Sequence, residues 1–315
     1  MDVYGLLPGG VATAATPVIS PASESVTSAV QVTMTDSTPG AHMYYTTNGT
    51  APSPTNGTLY SSAFTVTSSA TVQAMAAAPN FTNSATASEI YTIQSNPASA
   101  INYAAGLSAT GLTLSGSAAI NGSRLRLTNT GENEAGSAFF STAVNVQSFT
   151  TDFSFQLTDP NADGFTFTIH GGNTAAALGS WGGGLGYGPN SSQSTVIPTS
   201  VAVKFDLYSN AGEGPDSTGL YTNGASPTVP AVNMTSSGVN LHSGDIFQVH
   251  MSYNGTNLAM TITDVSTEST FSQTFQNINI PGTVGGNTAY VGFTGGTGGL
   301  TAIQEIIAWS YVSGP

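Results

Sequence analysis

The sequence predicts an all-β chain folded as two sandwiches in series, a small one followed by a large one. Three observations carry this. Apolar and polar residues alternate over short runs, Gly, Pro and Asn turn signals separate those runs, and no long stretch keeps the i, i+3, i+4 apolar spacing of a helix. The 37 glycines, 14 phenylalanines and 12 tyrosines favour strands and turns. With 39% hydrophobic residues, the 315-residue chain can bury real cores and is not a disordered polymer.

Residues 1–15 are apolar and Gly/Ala-rich and read as a leader or linker. An apolar strand there could add to a neighbour's sheet edge and build a homo-oligomer or polymer. Within 16–94, alternation at 30–34 and 43–46 gives the first strands, and 63–66, 71–76 and 90–93 give the next. Thr38-Pro39-Gly40 and Asn48-Gly49 supply turns between them. The polar, proline-containing stretch 94–99 marks a domain boundary. From 95 to 315 alternation returns at 149–157, 164–169, 201–208, 246–253, 258–262, 290–293 and 306–311, enough for one large sandwich.

Charge is scarce and one-sided. Arg124, Arg126 and Lys204 stand against sixteen carboxylates. Three cations cannot neutralise a row of phosphates, so neither nucleic acid nor a polybasic membrane surface fits as a partner. No run of 18 apolar residues occurs, and membrane insertion is not expected. The absence of cysteine excludes disulfides, thiolate zinc sites and thiol nucleophiles. Only three sites for trypsin-like proteases point to a secreted, extracellular or cell-surface protein. The opening MDVYGLLPGG lacks the regions of an intact signal peptide, so an export signal would already have been removed.

The only lysine lies in a strand. Across 200–210, Val201, Val203, Phe205 and Leu207 face one side, while Ala202, Lys204, Asp206 and Tyr208 face the other. Lys204 and Asp206 can pair directly, and Glu213 and Asp216 follow in the next loop. Asp206, a carbonyl near Tyr208, the Asn210 amide and Asp216 are oxygen donors of the kind calcium prefers. An EF-hand is excluded, because Ser217 stands where its bidentate Glu is needed. Spacing alone leaves two readings open, a calcium loop or a solvated acidic turn beside an ion pair.

Two resemblances add to this reading. STPGAHMYYTTNGTAPSPTNGTLYSSAFTV with ATVQAMAAAPNFTNSATASEIYTI resembles the chitobiase/β-hexosaminidase C-terminal type of domain, an Ig/Fn3-like sandwich that serves as an accessory spacer. Tyr44 and Tyr45 are there either sugar-stacking rings or one core and one surface aromatic. ADGFTF, GGGLGYG, VAVKFDLYSN, LAMTITD and YVGFTGGTGGLTAIQEIIAWSY follow the order of the L-type, or legume-type, lectins. That resemblance implies a concanavalin-like jelly-roll sandwich. It implies a sugar held by Asp163 after a cis peptide, by the backbone at Gly183 and Gly184, and by Asn210. It also implies a last specificity loop at 295–299, with Gly296 and Thr297. The implied calcium ligands are Asp206, the Tyr208 carbonyl, Asn210 and Asp216, with Glu213 as the alternative last ligand.

One departure matters. Lys204 stands where plant members have a metal-binding Glu, and Ser217-Thr218-Gly219 lacks their His. No transition metal is therefore expected, and the Lys204 ammonium can replace the missing cation beside Asp206. The physics of a sugar site agrees with the assigned residues. Hydroxyl-rich ligands want a carboxylate, an amide, close backbone donors and one ring, either Trp181 or Tyr187.

Enzyme readings fare worse. Glu132 and Glu134 form a close carboxylate pair in a Gly-flanked turn, the E-x-D-x-x-E strand of laminarinase-type hydrolases is missing, and no G-x-S-x-G elbow occurs. His42, His170, His242 and His250 show no metal spacing. The expectation is a non-catalytic glycan-binding protein, with a structural fibre or surface-layer subunit as the alternative.

Overall fold

The computed structural model describes residues 11–26, 29–93 and 100–314. It divides into two compact units, 1–96 and 97–315. The boundary expected at 94–99 lies outside the described residues, as do residues 1–10 of the segment expected to assemble. Of that segment, Ala12–Thr13 forms a short strand parallel to Phe81–Thr82 in the same chain, where a linker was expected.

In the first unit Val30–Thr35 alternates strictly between buried and exposed residues, as its VQVTMT sequence requires. It sits between Val18–Ser20 and Phe64–Val66 in a three-stranded sheet. A five-stranded sheet runs Glu24–Val26, Ala87–Ile93, Ala70–Ala77, His42–Thr46, Thr58–Leu59. Ile19, Val32, Met34, Val72 and Tyr91 are buried in its core. Tyr45 stacks on Phe64 with centroids 4.3 Å apart, which makes it a packing residue.

The second unit is a jelly-roll sandwich of two eight-stranded sheets. The front sheet runs Leu112–Gly116, Ala135–Phe140, Thr288–Gly296, Gly164–His170, Ser200–Asp206, Ser217–Thr222, Val232–Asn233. The back sheet centres on Ile303–Ser313, Phe149–Thr158 and Ile246–Tyr253. Between them lies an aromatic core of Phe153, Phe155, Phe165, Phe167, Phe205, Phe293 and Trp309. Phe165 and Phe205 stack at 4.8 Å, and each such ring contributes about 2–3 kcal/mol by leaving water.

The outer face of the front sheet departs from expectation. Every residue of Ser200–Asp206 is buried, including those on the supposed polar side. A second apolar cluster of Phe139, Ala175, Tyr187, Ile197, Ala202 and Tyr221 covers that face, drawing Ala175, Tyr187 and Ile197 from the long connection after His170. Thr166, Thr168 and Thr294 satisfy their buried hydroxyls against one another at 2.6–2.7 Å. Among the described residues, no helix is long and apolar enough to cross a membrane.

Candidate functional site

Strand register gathers the candidate residues at one sheet edge. Gly164 lies opposite Asp206 on one neighbouring strand and opposite Gly296 on the other. The segments entering or leaving those three positions, at Asp163, 207–216 and 297–300, therefore meet. They border a pocket of about 690 Å³, in the range of ligand sites, together with Trp181, Gly182 and Gly183.

Asp163 is fixed by its backbone. Its N–H donates to the Gly296 carbonyl at 3.2 Å, its carbonyl accepts the Leu207 N–H at 2.7 Å, and the Ala162–Asp163 peptide is cis. The side chain lines the pocket, yet the residue is only 4% exposed and Oδ2 has no hydrogen-bond partner in the protein. Burial pushes the carboxyl up to about 6, opposed by the Asn210 side chain and the Gly298 N–H. A buried acceptor facing a cavity is costly unless something donates to it.

Two loops frame that carboxylate. The Gly182 N–H donates to the Thr297 carbonyl at 2.9 Å, which joins them. The Trp181 carbonyl accepts from Asn190 Nδ2 at 2.8 Å, and its half-buried ring lines the pocket. Asn210 is exposed and lies against Gly183 and the Asp163 carboxylate, and Tyr208, 43% exposed, also lines the pocket.

Four expected contacts need correction. Tyr187 cannot stack on a ligand: it is fully buried, and its hydroxyl donates or accepts only within the fold, with Ser200 Oγ and the Gly224 N–H at 3.0 Å each. Gly184 is buried, and its N–H is used by the Trp181 carbonyl at 3.2 Å. Gly296 and Thr297 lie behind the pocket, and Gly298, Gly299 and Leu300 front it instead. Thr297 donates from Oγ1 to the Gly131 carbonyl at 2.8 Å and from its N–H to the Glu134 carbonyl at 3.0 Å, and its Oγ1 accepts the Glu134 N–H at 3.1 Å. The turn holding Glu132 and Glu134 thus braces the 297–298 loop, a role that no local pattern announced.

The carboxylates among the expected calcium ligands are engaged within the protein. Asp216 Oδ1 accepts the Leu241 N–H at 2.7 Å and lies 3.1 Å from His242 Nδ1. Asp206 Oδ2 accepts from Lys204 Nζ at 2.8 Å, and its Oδ1 faces the Tyr208 N–H at 3.3 Å. Glu213 gives its two oxygens to the N–H groups of Asn210 and Ala211, at 3.2 and 2.6 Å. Among the described residues, no three His, Asp or Glu side chains converge as a metal cluster. Asp206, Glu213 and Asp216 each accept hydrogen bonds from within the protein. Burial raises the Asp206 carboxyl, and the Lys204 ammonium opposes that rise.

Comparison with known proteins agrees with this architecture. The legume lectin domain model matches residues 102–314, well over half of the chain, and the chitobiase/β-hexosaminidase C-terminal domain model matches 21–103. A lectin of Pisum sativum is 28% identical over 207 residues, covering 60% of this chain and 74% of that protein. Favin of Vicia faba is 29% identical over 202 residues, covering 60% of this chain and 84% of favin. Among solved structures, the Bauhinia forficata lectin in complex with GalNAc superposes with a TM-score of 0.58 at 24% identity, covering 69% of this chain and 98% of the lectin. The winged bean acidic lectin complexed with methyl-α-D-galactose gives 0.57 at 22% identity, covering 69% and 98%.

Proposed function

The chain belongs to the legume lectin domain family, and from that premise we propose that it is an extracellular, non-catalytic carbohydrate-binding protein. The observation that carries the reading is the Asp163 carboxylate, buried at the pocket with Oδ2 unpartnered. Sugar hydroxyls are the natural donors for it. Asn210 adds an amide, the backbone of Gly182 and Gly183 allows close approach, and Trp181 and Tyr208 offer ring faces. Homologous lectins are described with GalNAc and with a galactoside, which supports a glycan partner here. The first unit acts as a spacer. Calcium support does not follow from this donor set.

Absence of catalysis is supported by the pocket's chemistry. Asp163 is the only carboxylate among its described lining residues, whereas glycoside hydrolysis needs a pair about 5–9.5 Å apart.

A glycan array of wild type and Asp163→Asn tests the reading. Wild type should bind a subset of glycans, and the variant should lose about 10- to 100-fold, the worth of hydrogen bonds to a charged acceptor. Its melting temperature should not fall, because the substitution removes a buried charge. Equal binding by both proteins would remove Asp163 from the site. No cleaved sugar should appear on prolonged incubation.

A further inference from the structure

Asp206 and Glu213 are both acidic and both buried, their side chains 1% and 0% exposed. Two buried carboxylates need a cation, since neither can be left unpaired away from water. Lys204, the only lysine in the chain, is itself fully buried and supplies that cation. Its Nζ donates to Asp206 Oδ2 at 2.8 Å and to the Thr228 carbonyl at 2.8 Å, and lies 3.7 Å from Glu213 Oε1. An ammonium has three hydrogens, and here three oxygens surround it. Tyr221 flanks it, with the ring centroid 5.7 Å away.

These contacts tie three parts of the pocket. Asp206 ends its strand, Glu213 holds the Asn210 and Ala211 N–H groups, and Thr228 lines the pocket. A divalent ion placed between Asp206 and Glu213 would have to displace the fully buried Nζ from its oxygen partners.

We propose that the Lys204 ammonium is a built-in cation standing where a divalent ion would otherwise bridge Asp206 and Glu213, so that the loop carrying Tyr208 and Asn210 is ordered without calcium or a transition metal. Lys204 is thus a positioning residue. It deepens the reading of the glycan pocket but rests on the loop's own contacts, so the two can fail separately.

The test uses the full chain after exhaustive EDTA treatment, then with calcium or manganese at about 10 mM, above the weak end of protein calcium affinities. Two readouts need no glycan: the melting temperature, and acylation of Lys204 by an N-hydroxysuccinimide ester, read by peptide mass spectrometry. For wild type, EDTA and added ions should leave melting unchanged, and Lys204 should stay unmodified until the protein unfolds. Lys204→Glu exchanges the cation for a third acid. It should melt lower than wild type in EDTA and recover on adding calcium or manganese, since ions that bind only the folded state raise its stability. Wild type that melts lower or exposes Lys204 in EDTA, and recovers with calcium, overturns the proposal. A folded Lys204→Glu variant blind to both ions overturns it as well. Should that variant fail to fold, the wild-type measurements decide alone. An array without hits would sink the lectin reading and leave this one standing.

Discussion

Gly183 and Asn210 occupy adjoining space that admits no further atom: a Cβ on Gly183 would stand 2.8 Å from the Asn210 carboxamide carbon and oxygen. The two residues come from different loops that both line the pocket. Gly183→Ala should therefore push the exposed Asn210 side chain aside while the fold stays intact. Losing one ligand hydrogen bond is worth about 1 kcal/mol, so glycan affinity should fall about 3- to 10-fold with the melting temperature nearly unchanged. Isothermal titration on the wild-type ligand checks this, and unchanged affinity would separate Asn210 from binding.

Trp181 and Tyr187 offer a contrast, since both looked like stacking rings in the sequence. Trp181→Ala should weaken glycan binding by about 1 kcal/mol, or roughly fivefold, with a small effect on stability. Tyr187→Phe should do the reverse. It strips the Gly224 N–H of its buried acceptor, which costs about 1–3 kcal/mol of stability, and leaves affinity of the folded protein intact. Chemical denaturation beside titration separates the two outcomes.

The difference between those rings shows where the sequence stops being legible. Period-two alternation located Phe149–Thr158, which buries every second residue, and marked Gly164–His170 and Ser200–Asp206 as strands, although both of these are buried on both faces. Lys204 with Asp206 was readable too, being two residues apart on one face. Tyr187 was not, because its burial depends on a long connection folding back over Ala202 and Tyr221. Asp216 was misplaced likewise: Leu241 and His242, far along the chain, capture its carboxylate. Of the loop expected at 295–299, Gly298 and Gly299 line the pocket, and Gly296 and Thr297 do not. Where the sheet register ends decides which glycines face the pocket.

Thr297 tests the bracing turn. Thr297→Val keeps the shape but deletes the hydroxyl that donates to the Gly131 carbonyl and accepts from the Glu134 N–H. Both partners are left unsatisfied, so a loss of about 1–3 kcal/mol is expected. Glycan affinity should drop too, although Thr297 does not line the pocket, and Thr297→Ser should restore both. A Val variant that is destabilised but binds normally would show that the turn supports the fold and not the site.

Glu305 sets an acid limit on stability through two of the chain's three cations. On the back sheet its carboxylate meets Arg124 at 3.0 Å and Arg126 at 2.8 Å, and accepts from Asn121 Nδ2 at 3.0 Å. Burial by itself would raise this carboxyl, but the hydrogen bonds from Asn121, Arg126 and Arg124 outweigh it and hold it below its ordinary value. A carboxyl lowered on folding stabilises the protein above the ordinary glutamate value of about 4.3, and that contribution disappears as pH falls through the lowered one. The arginines are about a third exposed, so water and salt screen part of the pairing. Glu305→Gln should cost about 1–2 kcal/mol at neutral pH. The gap between wild type and variant should close as the pH drops below about 4. Melting curves over that range, at low and high salt, check it. A gap that persists undiminished in acid would mean that Glu305 contributes through packing and not through charge.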